Sequence, residues 1–164
     1  MSIMPLQTFT IVALSTISFA FAAKAQSTEE NKRIIRHYLQ EIINDRKLDL
    51  LGDVFPEKFV RHDMNDSTDH WMTIADQKNR LSVLFDAFPD VHFTIVEIIA
   101  EGDKVVVHSV LQGTQKNTYR GIESSGNRVN VSEIVIHRIG NGKIVERWTQ
   151  LDLYSLFKEM KGEK

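Results

Sequence analysis

Between residues 91 and 152 the chain reads as consecutive β segments joined by turn signals, which restricts it to folds built around one sheet. Residues 91–100 are rich in β-branched side chains, and Glu101-Gly102-Asp103 closes a tight turn into residues 104–113. A looser connection through Gly121 and Gly126 leads to residues 128–139. Gly140-Asn141-Gly142 then carries a hairpin signal, and residues 144–152 return from it. The segment ahead of this run has a different period. Ile34, Ile35, Tyr38, Leu39, Ile42 and Ile43 recur at helical spacing behind the capping box Ser27-Thr28-Glu29-Glu30, predicting a helix from Thr28 to about Asp45. A short helix over residues 48–55 ends at Pro56, and Phe59-Val60-Arg61-His62 is extended. Residues 63–70 read as polar and irregular. Ile74, Leu81, Leu84, Phe85 and Phe88 fit one face of a further helix, and residues 153–159 form a last one.

Helices followed by hairpin-connected strands imply an α+β domain. Helices packed into the concave side of a curved antiparallel sheet leave a cone open at one end, lined by any polar residues on the inner face. The run from Ile144 to Asp152 has such residues. Alternation puts Glu146, Trp148, Gln150 and Asp152 on one side of the strand, giving an aromatic wall, an amide and two carboxylates. That set suits a cavity that orients a small molecule and moves a proton. The competing reading is a solvated strand face with Trp148 lying across it.

Several stretches, in order along the chain, carry a likeness: Phe59-Val60-Arg61-His62-Asp63, Phe88-Pro89-Asp90-Val91, residues 100–107, Gly113-Thr114, Gly121-Ile122, and Gly142 to Trp148, ending at Asp152. Together they resemble the SnoaL-like polyketide cyclases, or ester cyclases, of the nuclear transport factor 2-like superfamily. The resemblance implies a cone-shaped barrel of helices on a strongly curved antiparallel sheet, commonly a homodimer through the sheet. It also implies ring closure by intramolecular aldol condensation without a cofactor. Asp152 matches the family's acid/base aspartate near the end of the last strand, and His62 lines the pocket beside it. Some positions depart from the family pattern: Gln115 stands where a histidine usually follows Gly-Thr, the loop reads Gly121-Ile122-Glu123-Ser124-Ser125-Gly126, and His108 replaces a common arginine.

Individual residues keep two readings. Asp152 precedes Leu153-Tyr154-Ser155 and is equally suited to cap the last helix. Trp148 is either core or a stacking surface for a ring. His62 follows an apolar pair at the end of a strand and is either a structural histidine or one that polarises a carbonyl. His108 alternates with Val106 and Val110 and is assigned to the pocket, while Ser109 shares the opposite side with Val107 and Leu111. The expected catalytic pair is Asp152 and His62. Trp148, His108, Gln150 and Glu146 are expected to bind a small hydrophobic carbonyl compound, with no metal and no cofactor. The rivals are a non-catalytic binding module and a ketosteroid-isomerase-like enzyme on the same scaffold.

The absence of cysteine excludes disulfides, thiolate metal sites and cysteine nucleophiles. A net charge of -2 with mixed signs along the chain gives no sign of a nucleic-acid partner. Residues 1–23 contain no Asp, Glu, Lys or Arg, and Ala23-Lys24-Ala25 offers small residues for a cut before Gln26. Residues 1–25 therefore read as a signal peptide, with an uncleaved anchor as the rival. Residues 26–164 form a single domain, periplasmic or secreted, without stable membrane association once the signal is cleaved.

Overall fold

The structure, a computed structural model, describes residues 28–65 and 67–163. The expected signal peptide and the Ser27 hydroxyl of the capping box lie outside the described residues. Helix α1 spans residues 28–44, and its second half, His37–Asn44, is wound as a π-helix. A wider turn brings i and i+4 or i+5 onto one side, and Tyr38, Leu39, Ile42 and Ile43 are buried together there. A single 3-10 turn, Leu48–Leu50, runs into α2, Leu51–Val54. Helix α3, Ile74–Ala87, starts at a capping box in which Thr73 and Asp76 satisfy each other's backbone N–H groups. Helix α4, Leu153–Lys161, buries Leu156 and Met160.

Six strands form one sheet: β1 (Lys58–Asp63), β2 (Thr68–Thr73), β3 (His92–Glu101), β4 (Lys104–Thr114), β5 (Arg128–Gly140) and β6 (Lys143–Leu151). Their order is β2-β1-β6-β5-β4-β3. The sheet is mixed and largely antiparallel, because β1 and β6 run parallel, with Arg61 in register with Arg147 and Asp63 with Thr149. Strand β2 replaces part of the irregular segment expected over residues 63–70. It is an edge strand with Asp69, His70 and Trp71 exposed, so it lacks the apolar alternation that marks a strand buried on one face.

The core lies between the concave sheet face and α1 to α3. Tyr38 meets Phe55 edge-on at 5.1 Å, and Phe55 lies 4.4 Å from Phe59. Inward positions on β4 are Val105, Val107, Ser109 and Leu111; on β5 they include Val129, Val131, Val135 and His137. On β6 the alternation breaks. Arg138 pairs with Glu146 but Ile139 pairs with Ile144, so Val145 is an extra residue that bulges the strand. Ile144 is fully buried, yet beyond the bulge the buried residues are Arg147, Thr149 and Leu151 rather than those sharing its parity.

Candidate functional site

The bulge at Val145 decides which side chains meet the interior. Inside the cone is a cavity of about 90 Å³. Its wall combines apolar residues from α1 and α3 with a polar set from the sheet: Arg61 and Asp63 of β1, Ser109 of β4, Glu133 and His137 of β5, Arg147 and Thr149 of β6. Tyr38 and Gln77 complete it from the helices. Register across the sheet sets these residues in rows. His137 faces Arg147, which faces Arg61; Val135 faces Thr149, which faces Asp63; Ser109 faces Glu133.

Hydrogen bonding satisfies only part of this wall. Arg61 donates to Asp63 at 2.8 Å, and Ser109 Oγ donates to Glu133 Oε1 at 3.4 Å. The Tyr38 hydroxyl oxygen accepts from Gln77 Nε2 at 2.6 Å and from an Arg147 terminal nitrogen at 3.1 Å. Both bonds are accepted, so the phenolic proton is left to donate. Four buried side-chain atoms have no partner among the described residues: Gln77 Oε1, His137 Nδ1, Arg147 Nε and Thr149 Oγ1. All four belong to residues lining this cavity. Buried polar atoms are nearly always paired, so a concentration of unpaired ones in one chamber marks a place for water or a ligand.

Electrostatics divide the acids by role. Burial pushes the Glu133 carboxyl above its ordinary range, and the opposing pull of Arg147, Ser109, Arg61 and Arg80 does not offset it. Burial also tends to raise the Asp63 carboxyl, but the hydrogen bond from Arg61 and those from Asn65 outweigh it and hold the group low, as a carboxylate. His137 is buried and beside Arg147; both effects push its pKa well down, so it is a neutral imidazole.

The mouth is shaped by the loop after β4. Gln115, at the position where the family pattern has histidine, is fully buried and acts as a bracket. Its amide donates to the carbonyls of Asn117 and Ile122 and accepts from Ser125 Oγ. The bracketed loop makes a two-residue turn between Tyr119 and Ile122, with Arg120 at φ 48° and Gly121 at φ 80°. Positive φ at both central residues is the type I′ hairpin pattern. Arg120 stands exposed at its tip, and with exposed Arg80 of α3 it lines the entrance.

None of the residues expected to form the pocket lies in this cavity. Asp152 is exposed and caps α4, accepting from the Ser155 backbone N–H at 3.0 Å, and its bonds to Ser155 lower its pKa. The capping alternative therefore describes its position, and the expectation of an inward carboxyl is corrected. His62, Glu146 and Trp148 do come together, but on the outer sheet face. The His62 and Trp148 rings stack at 4.8 Å, and Nε2 of His62 lies 2.8 Å from Glu146 Oε1 while Nδ1 meets Asp69. His108 is also outward, against Ser132 Oγ at 2.9 Å, and Gln150 is exposed and donates to Asn65. The pairing of alternating residues was correct, and the side was inverted. Ser109, placed opposite His108 on sequence grounds, is the inward one. Glu133, Arg147 and Tyr38 were not singled out; a lone Glu133 amid Val129, Val131 and Val135 was the available signal.

The outer cluster has its own pH consequence. Burial disfavours a charged His62, but the hydrogen bonds to Asp69 and Glu146 win and raise its pKa. A raised folded-state pKa adds stability that is complete below the unfolded value near 6.5 and disappears as pH climbs through the folded value. Urea unfolding of His62→Gln should therefore show its larger deficit at about pH 5.5 and a smaller one near about pH 9. An equal deficit at both values would rule out the ionic contribution.

Residues 33–160 match the SnoaL-like polyketide cyclase family, and the chain belongs to that family. Its fold is shared with several solved structures. A protein classed as a SnoaL-like polyketide cyclase from Jannaschia sp. CCS1 superposes with a TM-score of 0.75 at 21% identity, covering 84% of this chain and 95% of the other. One classed as a polyketide cyclase from Acidithiobacillus ferrooxidans gives 0.73 at 22% identity, covering 82% and 96%. AclR of Streptomyces galilaeus, classed as a hydroxylase, gives 0.70 at 20% identity, covering 84% and 99%. Comparison with curated proteins finds no match.

Proposed function

We propose that this chain is an acid/base enzyme that moves a proton next to a carbonyl group inside the cone, with Glu133 as the proton carrier. The observation behind this is the position of Glu133: a carboxyl on the cavity wall whose pKa burial raises above the ordinary carboxyl range. Such a group can take a proton from carbon and return it, contributing about 10²- to 10⁴-fold in rate. The carbonyl oxygen gains negative charge in that step. Tyr38, with its own proton free and Arg147 donating to its oxygen, is the group to stabilise it. The intramolecular aldol closure associated with the family begins with the same proton removal.

The polar inventory also fits the rival reading, a module that binds a small molecule without turnover, because unpaired buried atoms call for a ligand in either case. Deuterium uptake separates the two. Compact cyclic ketones and 2-oxo acids incubated with the protein in heavy water are expected to exchange the hydrogen beside the carbonyl faster than in buffer, followed by proton NMR. Exchange at the buffer rate for every probe would leave binding as the function. The residue 1–25 segment supports action outside the cytoplasm. A homodimer would use the outer sheet face, where Ile99 and Ile134 stand exposed.

A further inference from the structure

The cavity wall holds more positive charge than its carboxyls can balance. Four guanidinium groups line it, Arg61, Arg80, Arg120 and Arg147, against the carboxyls of Asp63 and Glu133. The inner two are nearly inaccessible, Arg61 at 5% exposure and Arg147 at 8%. They are also in register on the adjacent parallel strands β1 and β6. Like charges directly across a sheet repel, and a buried charge without a counter-ion is costly. Asp63 neutralises Arg61 at 2.8 Å. Arg147 has no carboxylate within 4.0 Å among the described residues; one terminal nitrogen donates to Tyr38, and Nε has no acceptor. Thr149 Oγ1, two residues along on the same face, is also unpaired and can donate.

A guanidinium held in this way is half of a bidentate pair. Its planar fork matches a carboxylate, and the missing half is an anion that none of the described side chains supplies within hydrogen-bonding reach. Arg80 and Arg120 extend the same sign to the mouth. Arg120 is displayed there from a left-handed backbone position that disfavours a non-glycine residue. Positive charge at the rim raises the local concentration of anions and directs them inward.

We infer that the cavity selects a compact carboxylate, anchored on the Arg147 guanidinium with the Thr149 hydroxyl beside it and drawn in past Arg80 and Arg120. This rests on the same cavity as the proton-transfer reading and adds the substrate class: a small acid carrying a carbonyl. The anion also keeps Glu133 protonated longer as pH rises, since like charges in one site disfavour the second ionisation.

The test uses benzoate and its neutral isostere benzamide as probes, titrated calorimetrically into the full chain at low salt. Benzoate is expected to bind at least about tenfold more tightly than benzamide, the preference a charge-assisted pair would give. Arg147→Met should erase that preference. Loss of the buried cation need not unfold the protein, and circular dichroism with a thermal melt checks this. Arg120→Gly, at a backbone position glycine adopts freely, provides a second variant that keeps the fold, and its affinity for benzoate should rise less than the wild type's as salt is lowered. Glu133→Gln should bind benzoate at least as well as the wild type while losing deuterium exchange, so the two readings fail separately. Equal affinity for both probes, no benzoate binding at millimolar concentration, or an undiminished preference in a folded Arg147→Met would overturn the assignment.

Discussion

Glu133→Gln is expected to lower carbonyl deuterium exchange by about 10²- to 10⁴-fold, the loss typical of removing a positioned acid or base. Asp152→Asn is expected to leave the rate within about twofold. The contrast follows from placement. Asp152 sits in water at the first turn of α4 with a lowered pKa, so it is a weak base whose work is to accept the Ser155 N–H. Glu133 faces the cavity, and burial raises its pKa. Ionised Glu133 is the base, so exchange should rise with pH along a limb displaced above the ordinary carboxyl range near 4.3. The same group should cost stability. A carboxyl whose folded pKa is raised makes the native state bind more protons than the unfolded one, so stability falls as pH rises from the unfolded value through the folded one. Glu133→Gln removes that slope. Rate profiles and urea unfolding measured across that range report both effects, and a Glu133 variant with wild-type exchange would end the assignment.

Phe55→Ala should cost about 3–5 kcal/mol of folding stability, the usual range for emptying a buried aromatic position. Phe55 is 1% exposed, edge-on to Tyr38 and 4.4 Å from Phe59, so its loss opens a void between α1, α2 and β1. The effect should reach the cavity as well. Tyr38 is held by this ring on one side and by Gln77 and Arg147 on the other, and a looser Tyr38 presents its hydroxyl less reproducibly. Guanidinium unfolding gives the stability term. A loss below about 1 kcal/mol would mean that the site collapses to fill the space.

Much of the fold was legible because its cues are local. The apolar spacing of Ile35, Tyr38, Leu39 and Ile42 marked α1 within a residue or so of its end, and Gly140-Asn141-Gly142 marked the hairpin between β5 and β6. Strand β2 was not legible, because an exposed edge strand need not alternate. The residues expected to line the pocket fall outside the cavity for one identifiable reason. Both sides of β6 carry polar residues, Glu146, Trp148 and Gln150 on one and Arg147 and Thr149 on the other, so composition gives no preference. The side is set by the extra residue at Val145, a bulge visible only when β5 is laid against β6. The family likeness pointed to Asp152 by its place in the chain, and the helix that follows claims that carboxyl for its first turn.

Periodicity and turn residues were enough, read along the chain, to indicate an α+β domain with a curved sheet and helices on its concave side. These depend on interactions between near neighbours, which a linear pattern encodes. Which of two polar faces encloses the cavity, and which carboxyl loses its water there, arose from pairing between β1, β5 and β6. Burial and charge balance at Glu133 and Arg147 are sums over residues distant in the chain, and they exist only once those strands are side by side.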